Sequence, residues 1–269
     1  MAEWLLNGEP DALITPTDRG FLFGDGVFET IAFHRRRAPL WSLHMRRLAR
    51  GCEVLGLPPP DPELLLREAE ALVGEDPRIV IRIALSRGSG GRGYFPPAPG
   101  PATRFLLRRG FPADLERRRK SGVTMRTSPV RLGGAALAGL KHASRLEQVL
   151  IARDLAEHNA EEALVLDGEG ALVEGLHCNL VIERGDGLLA PVSHPAAVAG
   201  VGLEWLRQRA GASLIEQPLF ADSIRPSDSV WMINSVQGPI PAHSLDGRAL
   251  EIGPLLRHWQ RIWRDEIEK

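Results

Sequence analysis

Phe23-Gly24-Asp25-Gly26-Val27-Phe28-Glu29-Thr30 is the stretch on which the reading of the fold turns. It runs into β-branched and aromatic residues, so Val27 to Phe33 reads as a strand. Arg35-Arg36-Arg37 then reads as a solvated turn, with Ala38 to Trp41 as the returning strand of a hairpin. Upstream, Trp4-Leu5-Leu6 leads into the turn pair Asn7-Gly8. Downstream, Ser42 can cap a helix through His44, Arg47, Leu48 and Leu55 to Gly56. Pro62 starts a second helix, in which Leu64, Leu65, Glu68, Ala69 and Leu72 recur at helical spacing. Ile79 to Leu85 is rich in β-branched residues and reads as a buried strand, and Thr103 to Leu107 as another.

Pro112 to Gly122 breaks this pattern. It is charged, contains Arg117-Arg118-Arg119-Lys120, and is short of apolar residues. It reads as an exposed link at 113–122 between an N-terminal α/β domain at 1–112 and a C-terminal domain at 123–269. In the second half, Ser144 to His158 has an apolar helical face of Leu146, Val149, Leu150, Ile151 and Leu155. Ala163 to Leu166, Ala171 to Glu174 and Asn179 to Glu183 read as strands, with Asp167-Gly168-Glu169-Gly170 as a turn. Gly200 opens a helix to Ala210, Ser229 to Ile233 is a strand, and Pro254 to Glu268 a closing helix.

The 269 residues suit one large domain or two ordinary ones. A formal net charge of −1, with both signs mixed, gives no bias toward nucleic acid or an anionic membrane. No apolar run approaches the length of a membrane helix, and no secretion signal is visible. Cys52 and Cys178 suggest neither a disulfide framework nor a metal site, and the eight histidines show no metal-ligand spacing. A reduced cytoplasmic compartment is the expectation.

Candidate chemistry starts from lysine, of which there are three: Lys120, Lys141 and Lys269. Lys120 lies in the arginine cluster and Lys269 ends the chain. Lys141 alone has an apolar approach, Ala135-Ala136-Leu137-Ala138-Gly139-Leu140. A lysine that loses hydration can act as nucleophile or base, and a surface lysine at a loop edge is the plain alternative. Gly88-Ser89-Gly90-Gly91-Arg92-Gly93 fits a dinucleotide-binding fingerprint. That motif needs a helix directly after it, and Tyr94-Phe95-Pro96-Pro97-Ala98-Pro99 forbids one. A glycine loop presenting Arg92 and Tyr94 is the functional reading; a flexible connector is the alternative. Glu174 at a strand end could be a working carboxylate or merely solvated. Gly200-Val201-Gly202 could offer helix-start amides to a phosphate, or be an ordinary helix start. Ser235, after an apolar strand, could add a hydroxyl or cap a turn.

The order of these signals is more specific than any one of them. Phe23 to Thr30, His44-Met45-Arg46-Arg47-Leu48, Lys141, Glu174 with Asn179, and Gly200-Val201 together resemble the class IV aminotransferase family. The resemblance covers nearly the whole chain. It implies the α+β fold of type IV pyridoxal phosphate enzymes, with a smaller N-terminal α/β domain and a larger C-terminal pseudo-barrel. It also implies roles. Lys141 matches the Schiff-base lysine, Arg47 the arginine on the cofactor phosphate, and Glu174 the carboxylate facing the pyridine nitrogen. Val201 and Gly202 match helix-start amides on the phosphate, Ser235 a hydroxyl joining them, and Asn179 a supporting residue near the ring. Arg92 and Tyr94 fall where relatives bind a substrate carboxylate, with Arg87 as a second cation.

Ser86 to Tyr94, Gly100 to Arg104, Lys141 to Ile151 and Glu162 to Asp167 are similar to the branch of that family that cleaves 4-amino-4-deoxychorismate. This implies a small-molecule lyase of folate biosynthesis that forms 4-aminobenzoate and pyruvate, as a homodimer. D-amino acid or branched-chain transamination on the same fold is the rival, and a pyridoxal phosphate-binding protein without catalysis a further one. The chain departs from that branch at Ser144, where asparagine is common, and at Gly202, where threonine or methionine is. Some aminotransferases carry a tyrosine five residues after the lysine, where this chain has Leu146; losing that phenol argues against ordinary transamination.

Overall fold

A computed structural model describes residues 2–133, 136–192 and 196–269. The chain divides into two compact units, one of 1–111 with 140–144 and residue 269, the other of 112–139 and 145–268. Each is an α+β body, the architecture expected of fold type IV.

The first unit is a sheet whose two longer helices pack on one face. Its elements are β1 (Trp4–Leu6), β2 (Glu9–Pro10), α1 (Arg19–Phe23), β3 (Gly26–His34), α2 (Trp41–Leu55), α3 (Pro62–Val73), β4 (Arg78–Ser86) and β5 (Thr103–Gly110). The strands run in the order β2-β1-β5-β4-β3. Asn7 and Gly8, both at positive φ, make the two-residue hairpin between β1 and β2 that the Asn-Gly pair predicts. In β3, Val27, Ile31 and Phe33 alternate onto one face. They meet Ile79, Ile81, Ile83 and Leu85 of β4 and the apolar stripes of α2 and α3, including Met45, Leu48, Leu65 and Leu72. Leu65 is fully buried, so Leu65→Ala would cost roughly 2–5 kcal/mol.

Two local expectations fail here. The arginine turn does not return as a strand: Arg35 and Arg36 adopt positive φ, His34 pairs with Arg37, and the chain enters α2 at Trp41. The partner of β3 is β4, from Gly26 opposite Ser86 to His34 opposite Arg78. Ser42 does not cap α2, because Leu40 is the capping residue and no side chain serves. Asp61 does cap α3, accepting from Glu63 and Leu64 N–H groups at 3.0 Å, with Pro62 at the first helical position.

The second unit contains α4 (Leu115–Ser121), β6 (Val123–Leu132), α5 (Leu146–Glu157), β7 (Glu162–Asp167), β8 (Leu172–Glu174), β9 (Asn179–Arg184), β10 (Gly187–Pro191), α6 (Val201–Ala210), β11 (Leu214–Gln217), β12 (Ser229–Asn234), β13 (Gly238–Leu245), β14 (Arg248–Ala249) and α7 (Pro254–Trp263). Its mixed sheet runs β11-β10-β9-β12-β13-β6-β7-β8, with β14 on β13. Trp205 of α6 and Trp263 of α7 are buried edge to face, with centroids 4.8 Å apart.

The segment read as a linker folds as α4 within this unit. Its cluster is not uniformly solvated: Arg119 is 1% exposed. Its Nε and Nη2 donate to the Gln237 carbonyl at 3.0 and 2.6 Å, and its Nη1 donates to Glu268 at 3.1 Å. Leu115 is buried too. The composition of the stretch concealed both. The apolar face of α5 also splits. Ile151 and Leu155 are buried, whereas Leu146, Val149 and Leu150 are 78%, 60% and 46% exposed. Among the described residues, no helix is long and apolar enough to cross a membrane.

Candidate active site

The sequence-predicted residues fall into two sets. Lys141, Arg47, Arg92 and Tyr94 belong to the first unit; Glu174, Asn179, Val201, Gly202 and Ser235 belong to the second.

In the first unit, β3 ends its sheet, and the segment around Lys141 covers that open edge. Phe28 N–H donates to the Lys141 carbonyl at 2.9 Å, Ala143 N–H donates to the Gly26 carbonyl at 2.8 Å, and Val27 and His142 form an antiparallel bridge. Edge donors are thereby satisfied and the lysine backbone is fixed. Its Nζ lies 4.5 Å from the centroid of the Phe28 ring. Lys141 is half-buried behind buried Leu140, whereas Lys120 and Lys269 are exposed. Of the apolar approach, Leu137 is 39% exposed and Ala135 lies outside the described residues. Gly24, at φ +67°, leaves room for Ser144, whose Oγ donates to the Phe23 carbonyl at 3.2 Å.

Arg47 of α2 is gripped by a buried carboxylate. Its Nε and Nη2 donate to Glu29 at 2.8 and 2.5 Å, and His44 Nδ1 lies 2.6 Å from the same carboxylate. Glu29 and His44 are both fully buried. Burial alone would raise the Glu29 pKa, but the Arg47 charge leads the opposing effects and the carboxyl sits at about 2. Burial lowers the His44 pKa despite the attraction of Glu29. Neutral His44 therefore donates from Nδ1, the carboxylate being an acceptor only. His44 Nε2 is buried with no hydrogen-bond partner among the described residues.

Asp25, from the opening stretch, is a second anchor. Arg19 Nε donates to it at 2.9 Å, and Arg87 donates with Nε at 2.8 Å and Nη2 at 3.0 Å. Burial raises its pKa, but these arginines outweigh it and hold the carboxyl below its ordinary range. Arg87 also donates to the Leu55 and Gly56 carbonyls. Its donors are committed to the protein, which removes it as a second substrate cation. Arg92 and Tyr94 stand exposed on the loop after β4. The main chain of Arg92 pairs with Phe95, and Arg19 donates to the Gly93 and Tyr94 carbonyls at 2.8 and 3.2 Å. No helix follows this loop, in keeping with the rejected dinucleotide fingerprint.

In the second unit, the chain before α6 is held from three sides. Glu174 of β8 accepts from Val198 N–H at 2.9 Å, and Asn179 of β9 donates to the Val198 carbonyl at 3.1 Å. Gly139 exchanges main-chain bonds with Ala197 and Ala199 at 3.1 and 3.0 Å. The capping residue of α6 is Gly200, which offers no side chain to the first helical N–H groups. A Cβ there would sit 1.6 Å from Asn179 Oδ1, so any larger residue would have to displace that side chain. A Cβ on Gly202 would sit 2.8 Å from the Asn234 carbonyl carbon. Glycine at this position lets the turn carrying Ser235 approach the start of α6. Asn234 Oδ1 shapes that turn by accepting from Val236 and Gln237 N–H groups at 2.9 and 2.8 Å. Amides at a helix start, a buried carboxylate and an adjacent hydroxyl can receive an anion and a basic nitrogen. Cys178 is buried nearby, and burial with Glu162 pushes its thiol well up, so it stays protonated.

Residues 26–245 match the family model of amino-transferase class IV. The chain belongs to the class IV aminotransferase family. Within it, the chain is similar to the solved 4-amino-4-deoxychorismate lyase of Pseudomonas aeruginosa, with 34% identity and a TM-score of 0.91 over 99% of this chain and 100% of that one. It is 30% identical to an aminodeoxychorismate lyase of Vibrio harveyi, over 95% of this chain and 97% of the relative. It is also 26% identical to a putative branched-chain-amino-acid aminotransferase of Methanocaldococcus jannaschii, over 97% and 94%.

For a class IV aminotransferase, the sequence reading missed the residues that aim the others. Glu29 and His44 were in the quoted stretches but drew no role. The signal was there: Glu29 shares the parity of Val27, Ile31 and Phe33, and a charge on a core-facing position demands a partner. The partner itself, fifteen and eighteen residues on, was not legible without the packing of α2.

Proposed function

We propose that this chain is a pyridoxal 5′-phosphate-dependent lyase that converts 4-amino-4-deoxychorismate into 4-aminobenzoate and pyruvate, a step of folate biosynthesis. Its likeness along both full lengths to the lyase of P. aeruginosa carries this reading. The residues suit the cofactor. Gly200 and Gly202 leave the start of α6 uncapped and crowd out any Cβ. Arg47 is a guanidinium pre-set by a carboxylate, and Lys141 is a backbone-fixed amine.

Arg47, the Val201 and Gly202 amides and the Ser235 hydroxyl hold the phosphate. Asn179 keeps Val198 and the helix start in place. Lys141 anchors the cofactor covalently. The bound cofactor supplies an electron sink for the carbon that bears the substrate amine. Glu174 keeps a proton on the pyridine nitrogen, which deepens that sink. The Lys141 amine, when free, would take the proton from the amine-bearing ring carbon. The neighbouring carbon–oxygen bond breaks, the ring becomes aromatic, and the enolpyruvyl fragment gains a proton at its methylene to leave as pyruvate. Aromatisation makes this elimination downhill, so the protein's task is to place protons and exclude water. Arg92 and Tyr94 meet substrate carboxylate from the loop. The enzyme works as a cytoplasmic homodimer.

The decisive assay supplies aminodeoxychorismate and follows pyruvate and 4-aminobenzoate. Parallel reactions supply D-alanine or leucine with 2-oxoglutarate. The expected result is stoichiometric pyruvate and 4-aminobenzoate, lost in Lys141→Ala together with any borohydride-reducible adduct. No pyruvate, with rapid transamination, would replace the lyase by an aminotransferase, the reading that the M. jannaschii relative favours.

A further inference from the structure

Arg82 stands in the middle of β4, opposite Thr30 of β3 and Leu107 of β5. Residues directly opposite in a ladder share a sheet face, and the next pair on this face is Phe28 with Ala84. It is the face turned away from α2 and α3, because residues of the other parity fill that core. There the half-buried Arg82 places its Cζ 3.8 Å from the centroid of the Phe28 ring. Lys141 Nζ lies 4.5 Å from the same centroid. One aromatic ring therefore serves two cations.

What sets Arg82 apart is the lack of a counter-charge. Among the described residues it makes no hydrogen bond and no ion pair, and Phe28 is its interaction. Other arginines of this unit are committed: Arg19 and Arg87 to Asp25, Arg47 to Glu29, Arg104 to Glu68. Burial holds the Arg82 pKa below its ordinary value, with no carboxylate to offset it. A planar guanidinium fork matches a carboxylate, and removing one from water without a partner is costly. The site is thus prepared for an anion that arrives from outside.

We infer that Arg82 anchors the ring carboxylate of the substrate, the one opposite the amine-bearing carbon on which Lys141 acts. This rests on the lyase reading for the identity of the substrate. A six-membered ring holds that carboxylate rigidly at its far end from the amine. Both cations lie within 4.5 Å of one ring centroid, so they stand no more than about 8 Å apart, a span such a molecule covers. The ring carboxylate survives in 4-aminobenzoate, so the product binds Arg82 as well. The enolpyruvyl carboxylate leaves with pyruvate and is held elsewhere.

The test uses the holoenzyme, with Arg82→Gln and Arg82→Lys. Affinity for 4-aminobenzoate and for the uncharged 4-aminobenzamide is read by tryptophan fluorescence, beside KM and kcat for aminodeoxychorismate. Wild type should prefer the acid over the amide. Arg82→Gln should weaken 4-aminobenzoate binding and raise KM by about tenfold or more, with a much smaller effect on kcat and none on amide binding or cofactor absorbance. Arg82→Lys should recover part of the loss. Equal acid binding by wild type and Arg82→Gln would overturn the anchor while pyruvate release kept the lyase reading alive. Arg82-dependent acid binding without pyruvate release would do the reverse. A wild type that binds acid and amide alike overturns the anchor without recourse to any variant.

Discussion

The Glu29 carboxylate on β3 receives both Nε and Nη2 of Arg47 on α2, with no part of its own side chain exposed. A buried charge is tolerable because that fork and His44 satisfy it together. The same grip fixes the direction in which Arg47 presents itself. The guanidinium that we propose for the cofactor phosphate is thereby held before any ligand arrives.

Glu29→Gln tests that arrangement. The amide keeps the shape but removes the charge that Arg47 and His44 meet. We expect a loss of about 3 kcal/mol in unfolding free energy, since breaking a partly buried pair from one side exposes the full desolvation cost. Cofactor retention on dialysis should fall with it. Wild-type stability together with wild-type retention would show that Glu29 does not position Arg47.

Acid should destabilise the first unit in two stages. His44 has a folded pKa below its ordinary 6.5. As pH falls through 6.5, the unfolded chain takes up a proton that the folded one refuses, so stability drops. Glu29 sits at about 2 against an ordinary 4.5, so its contribution is full above 4.5 and disappears as pH falls toward 2. Urea titrations from pH 7.5 to 5 should show a slope that His44→Asn flattens. An unchanged slope in that variant would assign the effect to other groups.

Gly200→Ala should disrupt the start of α6 through Asn179, because the added methyl overlaps Asn179 Oδ1. Overpacking of this kind costs roughly 1–3 kcal/mol. Adding Asn179→Ala to Gly200→Ala should recover part of that stability in a denaturant midpoint. Gly202→Ala should instead push back the Asn234 turn and weaken cofactor binding. Full wild-type behaviour of Gly202→Ala would mean that the turn yields freely.

Arg119 and Arg117 share one basic run but not one environment. Arg119 is enclosed and bound to Gln237 and Glu268, whereas Arg117 is 49% exposed on its side chain. Arg119→Met should lower the thermal midpoint by many degrees, its loss removing both donors to the buried Gln237 carbonyl and the ion pair with Glu268. Arg117→Met should leave the midpoint where it is. Equal effects would return the whole run to the surface.

Much of the fold was legible because its elements follow local rules. Val27 to Phe33 and Ile79 to Leu85 are strands by parity and branching, and Pro62 with Asp61 starts α3 by capping chemistry. The hairpin after Phe33 failed because the arginines at positive φ end the strand, while the pairing partner lies beyond two helices. The linker at 113–122 failed because composition cannot report that one basic residue among four is enclosed. At the candidate site, Lys141 could be singled out from the sequence, being the lysine with an apolar approach. Glu29 could have been suspected from its parity, but its bond to Arg47 could not.

By itself, the sequence determined most of the helices and strands, the order of the family's signature stretches, and hence membership of the class IV aminotransferases. Only the tertiary structure decided which charges are paired. Glu29 meets Arg47, Asp25 meets Arg19 and Arg87, and Arg82 is left facing Phe28 beside Lys141. The reason is physical. Propensity and periodicity act over a few residues, whereas the cost of a buried charge is set by whatever sheet register and helix packing bring alongside it from far along the chain.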